Sequence, residues 1–223
     1  MPPSAEPALI DAAPARRYTQ AVQRKYVLLA ALALFVVLAD QVTKFIVLEE
    51  LTYTFDDAQG ASRLGLFFST APAVGYDGYH YRGKQSVVVS ESFLRLKYAE
   101  NPGAAFGLFR GLPEGARGPL FHLVSIGAVV MISFYFSKLS GTKKEERWAL
   151  YGLPLVMGGA IGNYLDRLAR GFVIDFLEAH WFDKVSWWTP WPSFNVADMA
   201  ICVGVGMLVV DSFVRKDPKK KQA

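Results

Sequence analysis

Two aspartates stand where a carboxylate is costly to hold. Asp175 lies in Gly171-Phe-Val-Ile-Asp-Phe-Leu177, among apolar neighbours, and Asp198 lies in Phe194-Asn-Val-Ala-Asp-Met-Ala200, at the start of an apolar run. If the two carboxyls meet, repulsion and partial desolvation make them share one proton near neutral pH, so that one is an acid and the other a base. Such a pair activates a water for attack on a carbonyl, with no need of a metal or a covalent intermediate. By themselves, two aspartates near helix ends are more often structural or proton-relay groups than catalytic ones. Asn195, one turn before Asp198, is a natural cap for the free N–H groups of a helix start, whose dipole favours an ionised carboxylate and points to Asp198 as the base.

Other polar residues fall within apolar segments. Asp40 and Lys44 are spaced i, i+4, which lets them pair and lowers the cost of burying either. Asp166 and Arg167 follow Gly158, Gly159, Gly162 and Asn163, a set of small residues that permits close helix approach, with one amide able to hydrogen-bond across a bundle. Arg167 is suited to a carboxylate or a substrate carbonyl as a bidentate donor, or to a structural ion pair.

The elements that position these groups are membrane helices. Of 223 residues, 52% are hydrophobic and 16 are Phe, which indicates a bilayer as solvent. Tyr26 to Leu48 is long enough to cross about 30 Å of hydrocarbon at roughly 1.5 Å per residue. It exceeds a signal peptide's apolar region and is expected to be retained. Leu120 to Phe136, Trp148 to Leu165 and Val196 to Val214 supply three more spans. The fold class expected is an all-α core of four transmembrane helices with a small extracytoplasmic β-sheet.

The net charge of +4 is concentrated beside the apolar segments, which argues for membrane flanks and against nucleic acid. Arg16, Arg17, Arg24 and Lys25 precede the first span, Lys138, Lys143, Lys144 and Arg147 join the second to the third, and Arg215, Lys216, Lys219, Lys220 and Lys221 follow the fourth. These flanks put both termini in the cytoplasm and leave residues 49–119 and 166–195 outside. The expected organisation is a disordered tail over 1–25, a membrane domain over 26–214 and a basic tail over 215–223. In the first outer segment Arg63 to Ser69 and Ser86 to Tyr98 read as strands, separated by a turn-rich, tyrosine-containing insertion. In the second, Trp181, Trp187, Trp188 and Trp191 read as an interfacial aromatic belt or as a rim guiding a lipid-bearing substrate. The single cysteine, Cys202, excludes an internal disulfide and is expected to be buried. His80, His122 and His180 have no metal-ligand spacing, and no cofactor is expected.

Five blocks in order resemble lipoprotein signal peptidase, also called signal peptidase II: Asp40-Gln-Val-Thr-Lys44, Asn101-Pro-Gly-Ala-Ala-Phe-Gly107, Gly158-Gly-Ala-Ile-Gly-Asn-Tyr-Leu-Asp-Arg167, Gly171-Phe-Val-Ile-Asp-Phe176 and Phe194-Asn-Val-Ala-Asp198. The resemblance spans about Tyr26 to Val214. It implies an aspartic endopeptidase of the bacterial inner membrane that removes the signal peptide of a prolipoprotein on the N-terminal side of a diacylglyceryl-modified cysteine. It makes Asp175 and Asp198 the catalytic pair near the extracytoplasmic face. Asn101, Asn163, Arg167 and Asn195 then shape the active site, and Asp40, Lys44 and Asp166 are structural polar residues. The partners implied are the lipidated substrate and membrane lipids, and a monomer is expected. Thr52 to Ser90 is longer than that family's pattern, and its role is not readable. A proton-coupled carrier or relay protein would use the same carboxylates but should show inverted repeats, which are absent. A non-enzymatic anchor or assembly factor would need neither aspartate.

Overall fold

The computed structural model describes residues 13–56, 62–70, 83–103, 111–180 and 191–215. The elements in chain order are α1 (Ala13–Leu51), α2 (Ser62–Ser69), β1 (Val87–Ser90), β2 (Leu94–Asn101), α3 (Glu114–Lys138), α4 (Arg147–Arg170), β3 (Val173–Ala179) and α5 (Val196–Val214). Among the described residues, three stretches of helix are long and apolar enough to cross a membrane, Thr19–Leu51, Gly115–Lys138 and Val196–Val214. Their outward faces are apolar, with Phe35, Leu38 and Val42 on α1, Leu123 and Met131 on α3, and Val203 and Phe213 on α5 all exposed. Such faces fit a hydrocarbon solvent, which sets no penalty on exposed Leu, Val or Phe.

The fourth expected span is different in kind. Helix α4 has 24 residues, but it is not among the three apolar stretches. It packs against α1, α3 and α5, so its sides meet protein and it can carry polar groups that a lipid-facing helix would expel. Its glycines make the packing possible. A Cβ on Gly158 would stand 2.7 Å from Val36 Cβ and 2.8 Å from the Ala33 carbonyl oxygen of α1. On the other side, one on Gly159 would meet the Ala197 carbonyl of α5. Pro154, within the same helix, is fully buried.

Helix α4 ends at Gly171, whose φ of 78° is the left-handed conformation that suits glycine, and whose N–H donates to the Arg167 carbonyl at 3.0 Å. The chain turns there directly into β3. The sheet has the order β1-β2-β3 and is antiparallel throughout. Ala99 pairs with Asp175 and Asn101 with Val173, after an irregularity between Leu96 and Ala99. One apolar cluster, including Leu48, Phe55, Phe67, Phe172 and Ile174, joins the sheet to the end of α1, and another, including Ala33, Phe136, Leu153 and Met157, lies between the helices.

Several expectations are corrected. Arg63 to Ser69 forms helix α2, not a strand: Phe67 packs edge-on to Phe45, and the Ser69 and Thr70 hydroxyls donate back to the carbonyls of Gly65 and Leu66. A short apolar run does not distinguish the two periods. Helix α1 begins at Ala13, within the expected disordered tail. Cys202 is exposed on α5, because only one face of that helix meets protein. Trp181, Trp187, Trp188, His80 and much of the Thr52 to Ser90 insertion lie outside the described residues.

Replacing Gly158 with Ala puts a methyl into backbone and side-chain atoms of α1 that cannot both retreat. The variant should lose about 1–3 kcal/mol, read as a lower melting temperature in detergent, whereas Gly127→Ala, with open space around it, should not.

Candidate active site

The site begins with a buried ion cluster. Lys44 Nζ lies 2.7 Å from Asp40 Oδ2 and 2.9 Å from Asp166 Oδ2, and all three side chains are fully buried. The same ammonium donates to Asn163 Oδ1 at 3.2 Å. Each carboxylate also holds a backbone group on an element that carries one of the two aspartates. Asp40 Oδ1 accepts the N–H of Ala197 at 3.0 Å, one residue before Asp198. Asp166 Oδ2 accepts the N–H of Ile174 at 3.1 Å, one residue before Asp175. The cluster therefore sets where α5 starts and where β3 runs.

Asn195 then joins the pair. Its Nδ2 donates to Asp175 Oδ1 at 2.7 Å, to the Ile174 carbonyl at 3.2 Å and to Asn163 Oδ1 at 3.1 Å. As the N-cap of α5, it accepts the Asp198 N–H at 2.9 Å, and its own N–H donates to Asp198 Oδ2 at 3.2 Å, a reciprocal capping box. Asn163 Nδ2 donates to Asp198 Oδ1 at 2.8 Å. Asn195 reaches β3 because Phe194 pairs with Leu177: the Phe194 N–H donates to the Leu177 carbonyl at 3.0 Å, and the Phe194 carbonyl accepts from Phe176 and Leu177.

Asn101, at the end of β2, donates to Asp175 Oδ2 at 2.9 Å, and its own Oδ1 accepts the Gly103 N–H at 3.0 Å. Arg167 makes no hydrogen bond to either aspartate. Its Nη2 donates to the Gly103 carbonyl at 3.0 Å and its Nη1 to the Asn163 carbonyl at 3.3 Å, while the guanidinium lies 4.5 Å from the Phe121 ring centroid. It ties the turn after Asn101 to α4 and lies within Coulombic range of Asp198, Asp175 and Asp166. Asp175 is 2% exposed, and Asp198 is half-buried at the helix start. Burial, and then the charge of Asp198, push the Asp175 carboxyl up to about 8, against the lowering effect of the amides of Asn101 and Asn195 and of Lys44. A carboxyl held there is mostly protonated at neutral pH.

All of the residues singled out from the sequence, Asp40, Lys44, Asn101, Asn163, Asp166, Arg167, Asp175, Asn195 and Asp198, thus fall within one connected network. Two contributors were missed. Gln41 donates to Asp40 Oδ2, Asp166 Oδ1 and the Gly162 carbonyl. Arg170 pairs with Asp166, donates to the Phe67 carbonyl and covers the Phe67 ring at 4.4 Å, which docks α2 onto α4. The i, i+4 spacing of Asp166 and Arg170 was the available signal for the second. Gln41 had none beyond its place between Asp40 and Lys44. Among the described residues, no three His, Cys, Asp or Glu side chains gather as a metal-holding group.

Fold and site together define a helical membrane protein whose two aspartates are bridged at the junction of a bundle and a small sheet. The family model for signal peptidase (SPase) II matches residues 32–214. A lipoprotein signal peptidase of Anaeromyxobacter sp. (strain Fw109-5) is 43% identical over 192 residues, covering 83% of this chain and 84% of that protein. One from Vibrio vulnificus (strain CMCP6) is 32% identical over 189 residues, covering 85% and 90%. The chain belongs to the signal peptidase II family and is a protease. Two solved bacterial membrane enzymes share the fold, one at TM-score 0.58 and 24% identity over 87% of this chain and 92% of the other, the second at 0.56 and 23% over 85% and 94%.

Removing the Lys44 ammonium leaves buried Asp40 with no ion-pair partner and Asp166 with Arg170 alone. Lys44→Met should cost about 3–5 kcal/mol and lower the yield of folded protein in a membrane fraction, measured by size-exclusion profile and melting temperature.

Proposed function

We propose that this protease is an aspartic endopeptidase that cuts prolipoproteins on the N-terminal side of a diacylglyceryl-modified cysteine, with Asp175 as the acid and Asp198 as the base. The observation that carries the reading is the double role of Asn195, whose amide holds Asp175 and whose backbone N–H holds Asp198. The substrate class is supported by the names of the relatives, each a lipoprotein signal peptidase.

In the proposed reaction, Asp198 takes a proton from a water between the two carboxyls as the water oxygen attacks the scissile carbonyl carbon. Asp175 gives its proton to the developing oxyanion. When the tetrahedral intermediate collapses, the C–N bond breaks, the amine of the cysteine leaves with a proton from Asp198, and the hydroxyl proton returns to Asp175. Asn101 and Asn195 keep Asp175 oriented through both steps. Arg167 holds the turn beyond Asn101 and places a positive charge beside the pair. Helix α4 is read as a fourth span, lined by its neighbours, which gives cytoplasmic N- and C-termini and a site near the extracytoplasmic face. That position suits a substrate whose acyl chains stay in the bilayer while water enters from outside.

Asp175→Asn and Asp198→Asn should each lower cleavage of a lipidated precursor by about 10²–10⁴-fold while the proteins remain inserted and fold to a similar melting point. Normal cleavage by both variants would refute the mechanism. Because activity needs Asp175 protonated, kcat/KM should fall as pH rises through about 8. An alkaline limb that persists unchanged in Asn101→Ala, which removes a hydrogen bond favouring the ionised form, would argue against assigning that limb to Asp175.

A further inference from the structure

A cavity of about 390 Å³ opens at the end of the bundle away from the aspartates, between the start of α1, the α3–α4 loop at Gly141 and the first turns of α4, with Ala21 in its wall. Its volume falls within the range of small-molecule sites, roughly 300–1,000 Å³. Lys25 lies fifteen residues before Asp40 on α1, about 22 Å along the axis at 1.5 Å per residue. The cavity is therefore separate from the cleavage site.

Its lining has two chemical halves. Arg24 and Lys25 supply positive charge, Gln20 adds an amide, and no carboxylate lines the wall. Leu28, Leu150 and the Tyr151 ring supply an apolar flank toward the membrane-spanning part of α1 and α4. Lys25 is an unusual feature. It is only 5% exposed, and its Nζ donates to the carbonyls of Phe136, Ser137 and Leu139 at 3.3, 3.2 and 2.5 Å, which cap α3 with a fixed charge. Carbonyl oxygens are dipoles, so the ammonium keeps its net charge beside the cavity. Gly141, at φ 75°, lets the loop come close to Lys25, whose Cβ would be 3.3 Å from any Cβ placed there. The loop's buried carboxylate, Glu146, is turned inward, accepting from Ser140 Oγ at 2.8 Å and the Gly141 N–H at 3.0 Å. Lys138, Lys143, Lys144 and Arg147 lie at this same end of the helices and outnumber Glu145 and Glu146 of the connecting loop, while Arg215 is paired with Asp211.

We propose that this cavity is a binding site for the phosphate of an anionic phospholipid, hydrogen-bonded by Arg24 and attracted by the charge of Lys25, with its acyl chain along Leu28 and Leu150. Basic pockets between membrane helices at an interface have this ligand chemistry. An occupant would bridge α1 to the α3–α4 loop and steady the bundle at the end opposite the site.

The test is retention and stabilisation by phosphatidylglycerol of the whole protein in detergent, set against phosphatidylcholine and inorganic phosphate. Phosphatidylglycerol should raise the melting temperature and remain bound in native mass spectra, and the other two should not. Arg24→Gln should weaken that binding about fivefold, and Ala21→Trp, which fills the cavity without changing charge, should weaken it at least as much. Lys138→Gln, the same charge change outside the lining, should leave it unaltered. Equal losses from Lys138→Gln and Arg24→Gln, or none from Ala21→Trp in a protein that melts normally without lipid, would overturn the site in favour of diffuse surface charge. Stabilisation by inorganic phosphate equal to that by the lipid would overturn the phospholipid assignment.

Discussion

One ammonium in the interior governs the geometry of this protein. Lys44 sits between Asp40 and Asp166 with no contact to solvent, and with Arg170 on the far side of Asp166 the buried charges balance, an arrangement that is tenable only because each carboxylate makes further hydrogen bonds. Those bonds go to the N–H groups of Ala197 and Ile174 and so settle the positions of the residues that follow, Asp198 and Asp175. A charge far too costly to bury for stability alone is thus coupled to the placement of two others. The carboxylates of the cluster need backbone donors, and the segments bearing Asp175 and Asp198 supply them.

The requirement for that cluster shapes the bundle around it. A helix bearing Asn163, Asp166, Arg167 and Arg170 cannot face lipid, so α4 is enclosed by α1, α3 and α5, and glycines at its contacts bring the backbones close enough for short side chains to meet. Gly162 shows how the two demands combine, since a Cβ there would stand 2.8 Å from Asp40 Oδ2. Close packing and ion pairing at that point are one constraint. The apolar outer faces of the other three helices follow from the opposite circumstance, with lipid on one side of each.

The two aspartates differ because their elements differ. Asp198 belongs to a capping box at a helix start, where N–H groups and the helix dipole favour negative charge. Asp175 lies on a strand covered by the sheet and by Asn195, and burial outweighs the two amides that donate to it. A pair of identical side chains is made unequal by a helix end on one side and a buried strand on the other, the asymmetry on which the proposed acid–base roles rest.

Much of this was legible in the chain. Apolar length marked the lipid-facing helices, i, i+4 spacing marked Asp40 with Lys44, Asn195 three residues before Asp198 marked a cap, and Gly158, Gly159 and Gly162 marked a close helix contact. These are local facts, carried by periods of one or two turns that a linear sequence displays. What tertiary structure decided was non-local. Arg63 to Ser69 became a helix because Phe67 found a pocket against Phe45 and Arg170, and Cys202 was exposed because α5 turns that face outward. Arg167 was drawn to the Gly103 carbonyl and not to a carboxylate, and Gln41 and Arg170 joined a cluster whose members are up to about 130 residues apart. Hydrogen bonds over such separations leave no periodic trace, so sequence could name the two aspartates but only the packing of α1, α4, β3 and α5 could bring them to one asparagine.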